Sequence, residues 1–576
     1  MNQTRSFLLF AWLAVAAWLV LQWYNPPAPP AATTAEPAAA LPATADATAD
    51  ATAATATPAP LPAPAPAGAS PLAPAATAAS GNVADPIEIE NDRVRLVVDL
   101  NGGRVTSAKL LQYRVEKKPG SPNVQLFDGT PGRYYVAESG LIAVDAAQKQ
   151  QELAPRFRTA DGRRQFKLPA GAAAISVPLE WTDPQTGIRV QRTLSLRRDS
   201  YVLETSDTVH NAGNRQLYPY SALVRVAPPA PPKHSFMTNP DSFSFVGSAW
   251  HSSEENFEKT PFSDYADEQP AAVQSADAWI GMLQHHFLAA WVPPGNEKQL
   301  LQTPVHNLPG GTRYEIRSIG FPGIAPGATL SRTSKLWVGP KLQSGLDQVA
   351  PTLKLGVDYG VLSFISQPLF WLLAKLHALI GNWGWAIIAI VLILKALLYW
   401  PSKKQYQSMA KMRAVMPRIE ALKERYGEDK QALNVAMFEL YKKEKVNPAA
   451  GCWPILIQMP IFLGLYWVLV ETVELRHAPW IGWIQNLTAP DPYFVLPALN
   501  LAIMYVTQLL TPTPGMDPVQ KKMMQFMPLV FGVMMAFFPA GLVLYWVTNG
   551  ALSLLQQWHM LRKYGLKPGA TPTVAR

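Results

Sequence analysis

Cysteine is nearly absent from this chain of 576 residues, which contains only Cys452. A single cysteine excludes an intramolecular disulfide and a zinc site built from several thiolates, and leaves only a histidine and carboxylate metal site formally open. The chain also lacks the glycine-rich phosphate loop of nucleotide hydrolases, and no ligand spacing surrounds His285-His286. We therefore expect no metal, no cofactor and no catalytic residues.

Basic side chains are missing from residues 25–84, which hold 26 alanines and 13 prolines but no lysine or arginine. This composition cannot bury a core and predicts a semi-extended tether. Residues 1–24 precede it and contain an apolar run from Phe7 to Tyr24 that is long enough to cross a bilayer. The triplet Ala14-Val15-Ala16, which has the form of a cleavage site, lies inside this run, so we predict an uncleaved signal-anchor span.

Alternating hydrophobicity marks residues 85–345. Val94, Leu96, Val98 and Leu100 alternate with their neighbours up to the turn at Asn101-Gly102-Gly103, and similar short segments continue to about residue 342. About 250 residues of short strands and Gly/Pro turns predict a large β-sandwich outside the membrane.

The composition becomes apolar and aromatic after residue 355. Pro368 to Ile380 is only 13 residues long and carries Lys375 and His377, so we predict that residues 357–381 form an amphipathic helix in the membrane interface. The remaining segments follow as a second span at 385–400, a cytoplasmic helical hairpin at 401–450, spans three to six within 451–561, and a basic cytoplasmic tail at 562–576.

Six spans are predicted in all, because Pro539-Ala540-Gly541 divides an apolar stretch too long for one crossing. As a single helix, residues 523–561 would extend roughly 58 Å, about twice the hydrocarbon thickness. The loop at 401–450 carries 11 lysines and arginines against 6 acids, whereas residues 474–492 have only Arg476. Basic residues favour the cytoplasmic side, so both termini are predicted to be cytoplasmic and residues 25–360 periplasmic.

Lys395 interrupts an apolar run within the second span. A charged side chain there costs roughly 2.5–3.5 kcal/mol on insertion scales, so a functional group that faces water inside the protein is the favoured interpretation. The alternative is a lysine that snorkels to the cytoplasmic interface five residues away. Helical side chains lean toward the amino end, which in this span directs Lys395 toward the membrane centre.

Acidic residues and histidines are missing from the depth of the spans, which argues against a proton relay, and no inverted repeat is visible. Polar groups at membrane depth include Gln458 and Asn549. Each one singly is typical of a contact between helices, but together with Lys395 they form a candidate hydrophilic cavity.

Several motifs resemble one known family. They are Phe364-Ile-Ser-Gln-Pro-Leu-Phe370, Gly381-Asn-Trp-Gly384, Lys442-Lys-Glu-Lys-Val-Asn-Pro448, the run from Gly451 to Phe462, Asp491-Pro-Tyr493 and Phe538-Pro-Ala-Gly-Leu-Val-Leu-Tyr545. Residues 357–563 resemble the YidC/Oxa/Alb family of membrane protein insertases, and the preceding segments fit its long Gram-negative form. The resemblance implies a polytopic α-helical protein of the inner membrane, with six spans, a five-span insertase core and a periplasmic β-supersandwich domain.

The resemblance also implies a positively charged hydrophilic groove that binds inserting proteins. Lys395 occupies the position where Gram-negative relatives commonly have arginine; lysine keeps the charge but lacks the planar, two-pronged donor. The groove residues implied by the resemblance, together with Asn549 from the polar residues above, are Lys395, Gln458, Met459, Phe462, Tyr545, Trp546 and Asn549.

The basic cytoplasmic surface is expected to dock partners through Lys403, Lys404, Lys411, Arg413, Lys442, Lys443 and Lys445. The partners implied are nascent membrane proteins, the Sec translocase (SecYEG and SecDF), the ribosome, the signal-recognition targeting machinery and anionic lipids, but not DNA.

The predicted function is that of an insertase and chaperone, not an enzyme, which inserts, folds and helps assemble inner-membrane proteins alone or with the Sec translocase. The hydrophobic transfer of the substrate into lipid would drive insertion. Two alternatives remain at this point. One is an anion transporter or channel with Lys395 as counter-charge, and the other is a periplasmic sugar-binding protein, which rests on fold analogy alone.

Overall fold

The computed structural model describes residues 85–226, 244–254, 256–265, 274–295, 297–308, 311–427, 429–444, 453–510 and 518–563. The predicted signal anchor, the tether and the end of the tail lie outside these residues. The predicted β-rich domain is confirmed. Its strands are β1 Pro86–Glu90, β2 Val94–Asp99, β3 Arg104–Arg114, β4 Asn123–Asp128, β5 Tyr135–Val144, β6 Gln150–Glu152, β7 Arg158–Thr159, β8 Gln165–Lys167, β9 Ala174–Thr182, β10 Arg189–Arg197, β11 Val202–His210, β12 Gln216–Val226, β13 Gly247–Ser252, β14 Asn256–Pro261, β15 Gln274–Ser275, β16 Trp279–Gln284, β17 Phe287–Val292, β18 Lys298–Gln302, β19 Val305–Leu308, β20 Gly311–Phe321 and β21 Thr329–Pro340.

The described strands form two sheets, which together are called the β-domain below. One sheet has the order β15-β18-β20-β12-β5-β4-β3-β2-β1-β8, with β19 paired to β20 and β6 to β5. The other has the order β14-β13-β16-β17-β21-β11-β10-β9-β7. Almost all neighbours are antiparallel; β1 and β8 run parallel. The period-two pattern of the sequence is therefore realised as a domain of two packed sheets.

Several strands bury one face between the sheets. In β10, Val190, Leu194 and Leu196 are buried on one face together with Arg192, while the alternate side chains at 191, 193 and 195 are more exposed. Trp291 from β17 is 1% exposed, and its indole Nε1 donates a hydrogen bond to the carbonyl oxygen of Ala222 in β12, 3.1 Å away. Because β17 and β12 belong to different sheets, this side chain joins the two layers and satisfies its own polar atom.

Nine helices follow the β-domain within the described residues. They are α1 Gln343–Val349, α2 Ser363–Ile380, α3 Trp383–Leu397, α4 Tyr399–Tyr426, α5 Lys430–Lys443, α6 Trp453–Glu471, α7 Val495–Leu510, α8 Pro518–Met535 and α9 Ala540–Lys563. Short 3₁₀ turns lie at Leu353–Gly356, Gly360–Leu362 and Val473–Leu475. Met412, Val415 and Ile419 of α4 are buried against α5, so these two helices form an antiparallel hairpin.

Two helix boundaries differ from the sequence-based expectation. α2 runs from Ser363 to Ile380 and contains Pro368 within it. Its length is 18 residues, so the prediction that counted only the 13 residues from Pro368 to Ile380 used the wrong length. α3 ends at Leu397, and α4 begins at Tyr399 with a bend of 64° between them, so the second predicted span ends before Trp400. The bend follows from Leu398, whose backbone leaves the helical conformation.

Length and composition qualify one described helix, Ser363–Ile380, as able to cross a membrane by itself. The bent pair Trp383–Leu397 and Tyr399–Ser408 qualifies when its two parts are taken together. Three apolar stretches are shorter than 18 residues, namely Gln458–Glu471 within α6, Val495–Leu510, which is α7, and Lys522–Met535 within α8. The number of spans is therefore treated as a proposal below.

Trp291 provides a test of how the sheets are joined. Replacing it with alanine should lower the free energy of unfolding of the β-domain by about 3–5 kcal/mol, because a large buried side chain and its hydrogen bond are lost together. Denaturant unfolding of the full chain in detergent, followed by near-UV circular dichroism, measures this change. Leu308→Ala, at a side chain that is 37% exposed, is the control and should change the free energy by less than about 1 kcal/mol. Equal effects of the two substitutions would contradict the assignment.

Candidate functional site

The helix that carries Lys395 begins with a side-chain cap. The Oδ1 atom of Asn382 accepts a hydrogen bond from the backbone N–H of Trp385, 3.2 Å away, which satisfies one of the free donors of the first turn. The apolar sequence then continues to Leu397 and places Lys395 in the last turn of α3. Its Nζ atom donates a hydrogen bond to Ser553 Oγ of α9 at 2.7 Å. The lysine is therefore directed into the helix bundle.

Ser553 is held in place by two further contacts. Its hydroxyl donates to the carbonyl oxygen of Asn549 at 2.7 Å, one turn earlier in the same helix. The hydroxyl of Tyr406, from α4, donates to the carbonyl oxygen of Ser553 at 3.2 Å. With its proton used in this way, the Ser553 oxygen presents a lone pair to Lys395. Three helices, α3, α4 and α9, thus meet at this group.

The partner of Lys395 is neutral. Among the residues that the structure describes, no carboxylate forms an ion pair with the Lys395 ammonium group, whose hydrogen-bond acceptor is a hydroxyl. A hydroxyl satisfies one of the three ammonium donors but does not neutralise the charge. The arrangement therefore holds a positive charge in position and leaves it available to an acidic group.

A second cluster joins α6 to α9. Gln458 Nε2 donates to the hydroxyl of Tyr545 at 3.1 Å. One turn along α6, the ring of Phe462 stacks on Trp546 with centroids 5.0 Å apart and an interplanar angle of 17°, and it also lies 6.1 Å from the Tyr545 ring. The two helices are thus joined by a side-chain hydrogen bond and by aromatic contact.

The two clusters share one face of α9. Tyr545, Asn549 and Ser553 are spaced by four residues and so lie above one another on the helix surface. The eight residues between Tyr545 and Ser553 correspond to about 12 Å along the axis. The positive charge of Lys395 and the polar contact at Gln458 therefore lie about two helical turns apart on the same side of α9.

The structure thus brings most of the predicted groove residues together in these two clusters. Met459 lies beside Gln458 in α6 and is 42% exposed, so no described neighbour covers it fully. Asn549 contributes its backbone carbonyl oxygen, whereas a role for its side chain was expected. Ser553 was missed by the sequence analysis, although its spacing of four residues from Asn549 and eight from Tyr545 could have indicated it.

The predicted docking residues lie on the helical hairpin and its base. Lys404 Nζ lies 3.6 Å from the centre of the Trp400 ring, a cation–π contact, and Lys411, Lys442 and Lys443 are exposed. Lys403 is partly buried. Lys445 lies outside the described residues, and the side chain of Arg413 is not described.

Comparison with known proteins covers nearly the whole chain. Residues 86–372 match the family model of the YidC periplasmic domain, and residues 375–567 match that of the 60Kd inner membrane protein. The membrane protein insertases YidC of Stenotrophomonas maltophilia strains R551-3 and K279a are 46% and 47% identical to this chain, over 99% of this chain and 98% of each relative. A crystal structure of an active YidC insertase has 18% identity and a TM-score of 0.36, covering 82% of this chain and 92% of that one.

The two family models adjoin near residue 373, within α2. The identity of 46–47% extends over full length rather than over either part alone. The resemblance indicated by the sequence motifs is confirmed, and this chain belongs to the YidC family of membrane protein insertases.

Proposed function

We propose that this insertase of the inner membrane inserts nascent membrane proteins by drawing a short polar segment of the substrate toward Lys395. The observation that carries the proposal is the contact between Lys395 and Ser553, because a charge held by a neutral hydroxyl stays available to a substrate carboxylate. A fixed positive charge in a partly hydrated groove lowers the cost of moving an acidic segment partway into the bilayer.

The apolar part of the substrate would leave through the contact between α6 and α9. Phe462 and Trp546 are half-buried there and stack on each other against the buried Tyr545, and Met459 is accessible beside them. Flexible and aromatic side chains adapt to varied apolar surfaces. Transfer of the substrate helix into lipid supplies the driving force, roughly 25 cal/mol per Å² of apolar surface removed from water. Family membership favours this activity over the anion-transport and sugar-binding alternatives.

The proposed topology has six spans, with both termini in the cytoplasm and the β-domain in the periplasm. It is supported by the excess of basic residues at 401–450 and by α6 and α9, which with 19 and 24 residues correspond to about 28 and 36 Å of helix. In this topology the basic hairpin and the tail face ribosomes, the targeting machinery and anionic lipids, whereas the β-domain faces the periplasmic side of the Sec translocase.

Lys395 provides the central test. Lys395→Ala should slow insertion of a single-span protein with an acidic amino tail by about tenfold, since a hydrogen bond to a charged group contributes roughly 1.5–3 kcal/mol. Lys395→Glu should slow it further through repulsion. Insertion into proteoliposomes, measured by protease protection of the tail, gives the rates. Lys375→Ala, on the exposed side of α2, is the matched control and should insert normally. Normal insertion by both Lys395 variants would refute the role of this charge.

The topology predicts which side of the membrane labels a single introduced cysteine. In a Cys452→Ser background, Asp161→Cys in the β-domain should react with a membrane-impermeant maleimide added to spheroplasts. Glu424→Cys in α4 should react only after the membrane is permeabilised. Both positions are exposed, so accessibility within the fold does not limit either reaction. Labelling of both from the same side would contradict the topology.

The basic hairpin predicts salt-dependent ribosome binding. Changing Lys442, Lys443 and Lys445 to glutamine should weaken binding to ribosomes. It should also reduce the magnitude of the slope of log affinity against log salt concentration by about 2, because fewer counterions are released from RNA phosphates. Co-sedimentation over a salt series measures both quantities. The control changes the same number of charges in the β-domain, at Arg163, Arg164 and Lys167. An equal loss in that control would show that only net charge matters.

A further inference from the structure

The β-domain and the membrane helices meet at a buried ion pair. Lys341 directly follows β21, and Glu471 is the last residue of α6. The Lys341 Nζ and Glu471 Oε2 atoms are 3.6 Å apart, and the two side chains are only 1% and 3% exposed. Two opposite charges have thus been removed from water at the junction, which is costly unless both remain in place.

Further polar contacts surround this pair. Ser244, which precedes β13, donates its hydroxyl proton to Glu471 Oε1 at 2.6 Å. His285, in the turn between β16 and β17, places Nε2 3.1 Å from the carbonyl oxygen of Val470. The backbone N–H of Lys341 donates to the carbonyl oxygen of His286 at 2.9 Å. Three separate parts of the β-domain therefore converge on the end of α6.

The β-domain also contacts the loop of residues 472–494, which joins α6 to α7. Lys117, in the turn between β3 and β4, donates to the carbonyl oxygen of His477 at 2.7 Å. Arg476 of the loop donates to the carbonyl oxygen of Val115 at 3.0 Å, and its guanidinium group lies 5.2 Å from the centre of the Phe287 ring. The β-domain thus contacts both the end of α6 and the loop that follows it.

The same loop holds the first turns of the other two site helices. Asn382, the cap of α3, donates its side-chain amide to the carbonyl oxygen of Trp480 at 3.0 Å. At the start of α9, the N–H groups of Ala540 and Gly541 donate to the carbonyl oxygens of Ala489 and Leu487, each at 2.8 Å. The helices that carry Lys395, Gln458 and Ser553 are therefore all joined at one end to a loop that contacts the β-domain.

We propose that Lys341 and Glu471 are positioning residues, which lock the β-domain onto α6 and so fix the helices of the insertion site relative to one another. Glu471 is 13 residues from Gln458, about 20 Å along the same helix, so a change at the junction reaches the site through a rigid element. The effect on insertion rests on the proposed function, whereas the locking of the β-domain does not.

A charge-neutralising cycle tests the lock. Lys341→Met leaves a buried carboxylate without its partner, and Glu471→Gln leaves a buried ammonium group, so each single variant should reduce the ratio of docked to undocked β-domain at least about tenfold. The double variant leaves no unpaired charge and should recover to within about twofold of the parent chain. The control is the double variant Asp347→Asn with Lys354→Met, which removes an exposed ion pair between α1 and the 3₁₀ turn Leu353–Gly356 and should have no effect.

Docking is measured as a distance. Nitroxide labels at Gln191 in β10 and Ile481 in the 472–494 loop, in full-length Cys452→Ser protein in lipid nanodiscs, should give one narrow distance distribution. Both single variants should broaden it, and the double variant should restore it. An unchanged distribution in the single variants, or failure of the double variant to restore it, overturns the proposal.

Insertion by the same variants is measured in proteoliposomes. We expect the single variants to insert at least about fivefold more slowly and the double variant to recover with the distance distribution. Slow insertion with an unchanged distribution would overturn the positioning role. The Lys395 variants test the proposed function separately: if they insert normally while the distance cycle behaves as expected, the lock remains and the groove-charge mechanism fails.

Discussion

A charged side chain within an apolar helix needs a polar partner, and the contact between Lys395 and Ser553 supplies one. The Ser553 hydroxyl donates its proton to the Asn549 carbonyl oxygen, and the Tyr406 hydroxyl donates to the backbone carbonyl oxygen of Ser553, so α3, α4 and α9 meet at Ser553. A carboxylate in place of Ser553 would bind the lysine more tightly but would also cancel its charge. A neutral partner satisfies one donor of the lysine and leaves its positive charge uncancelled.

The geometry of α9 connects this charge to the aromatic contact with α6. Side chains four residues apart share one helix face, so the polar path from Ser553 through Asn549 to Tyr545 needs no special backbone. Phe462 and Trp546 close the contact on the side where an apolar segment would pass. In the proposed mechanism, the polar and apolar parts of a substrate would therefore meet different surfaces of the same helix pair.

Two buried side-chain contacts join the parts of this structure outside the Lys395 site. Trp291 joins the two sheets of the β-domain, and the buried pair of Lys341 and Glu471 joins the domain to α6. A buried ion pair adds little stability compared with apolar packing, but it penalises any arrangement in which the partners separate. The proposed lock would therefore favour one orientation of the domain relative to α6.

The amino-acid sequence by itself determined the division of this protein into parts and its family. Alternation of period two indicated the β-domain, and the motifs around Gly381 and Gly451 indicated the insertase, because these signals are local in the chain. Lys395 also stood out locally, as a charge in an apolar run. The start of α2 at Ser363 was not apparent from the sequence, which predicted a helix over 357–381, since the packing of a helix against its neighbours decides where it begins.

Only the tertiary structure decided the partners. Ser553 is 158 residues from Lys395, and Glu471 is 130 residues from Lys341, so neither pairing appears in any local pattern. A buried charge needs a polar or charged partner, and the fold decides which group lies near enough to be that partner. Which group this is depends on how elements distant in the chain pack together. The sequence determines the chemistry of each side chain, whereas the folded chain determines which neighbours that side chain contacts.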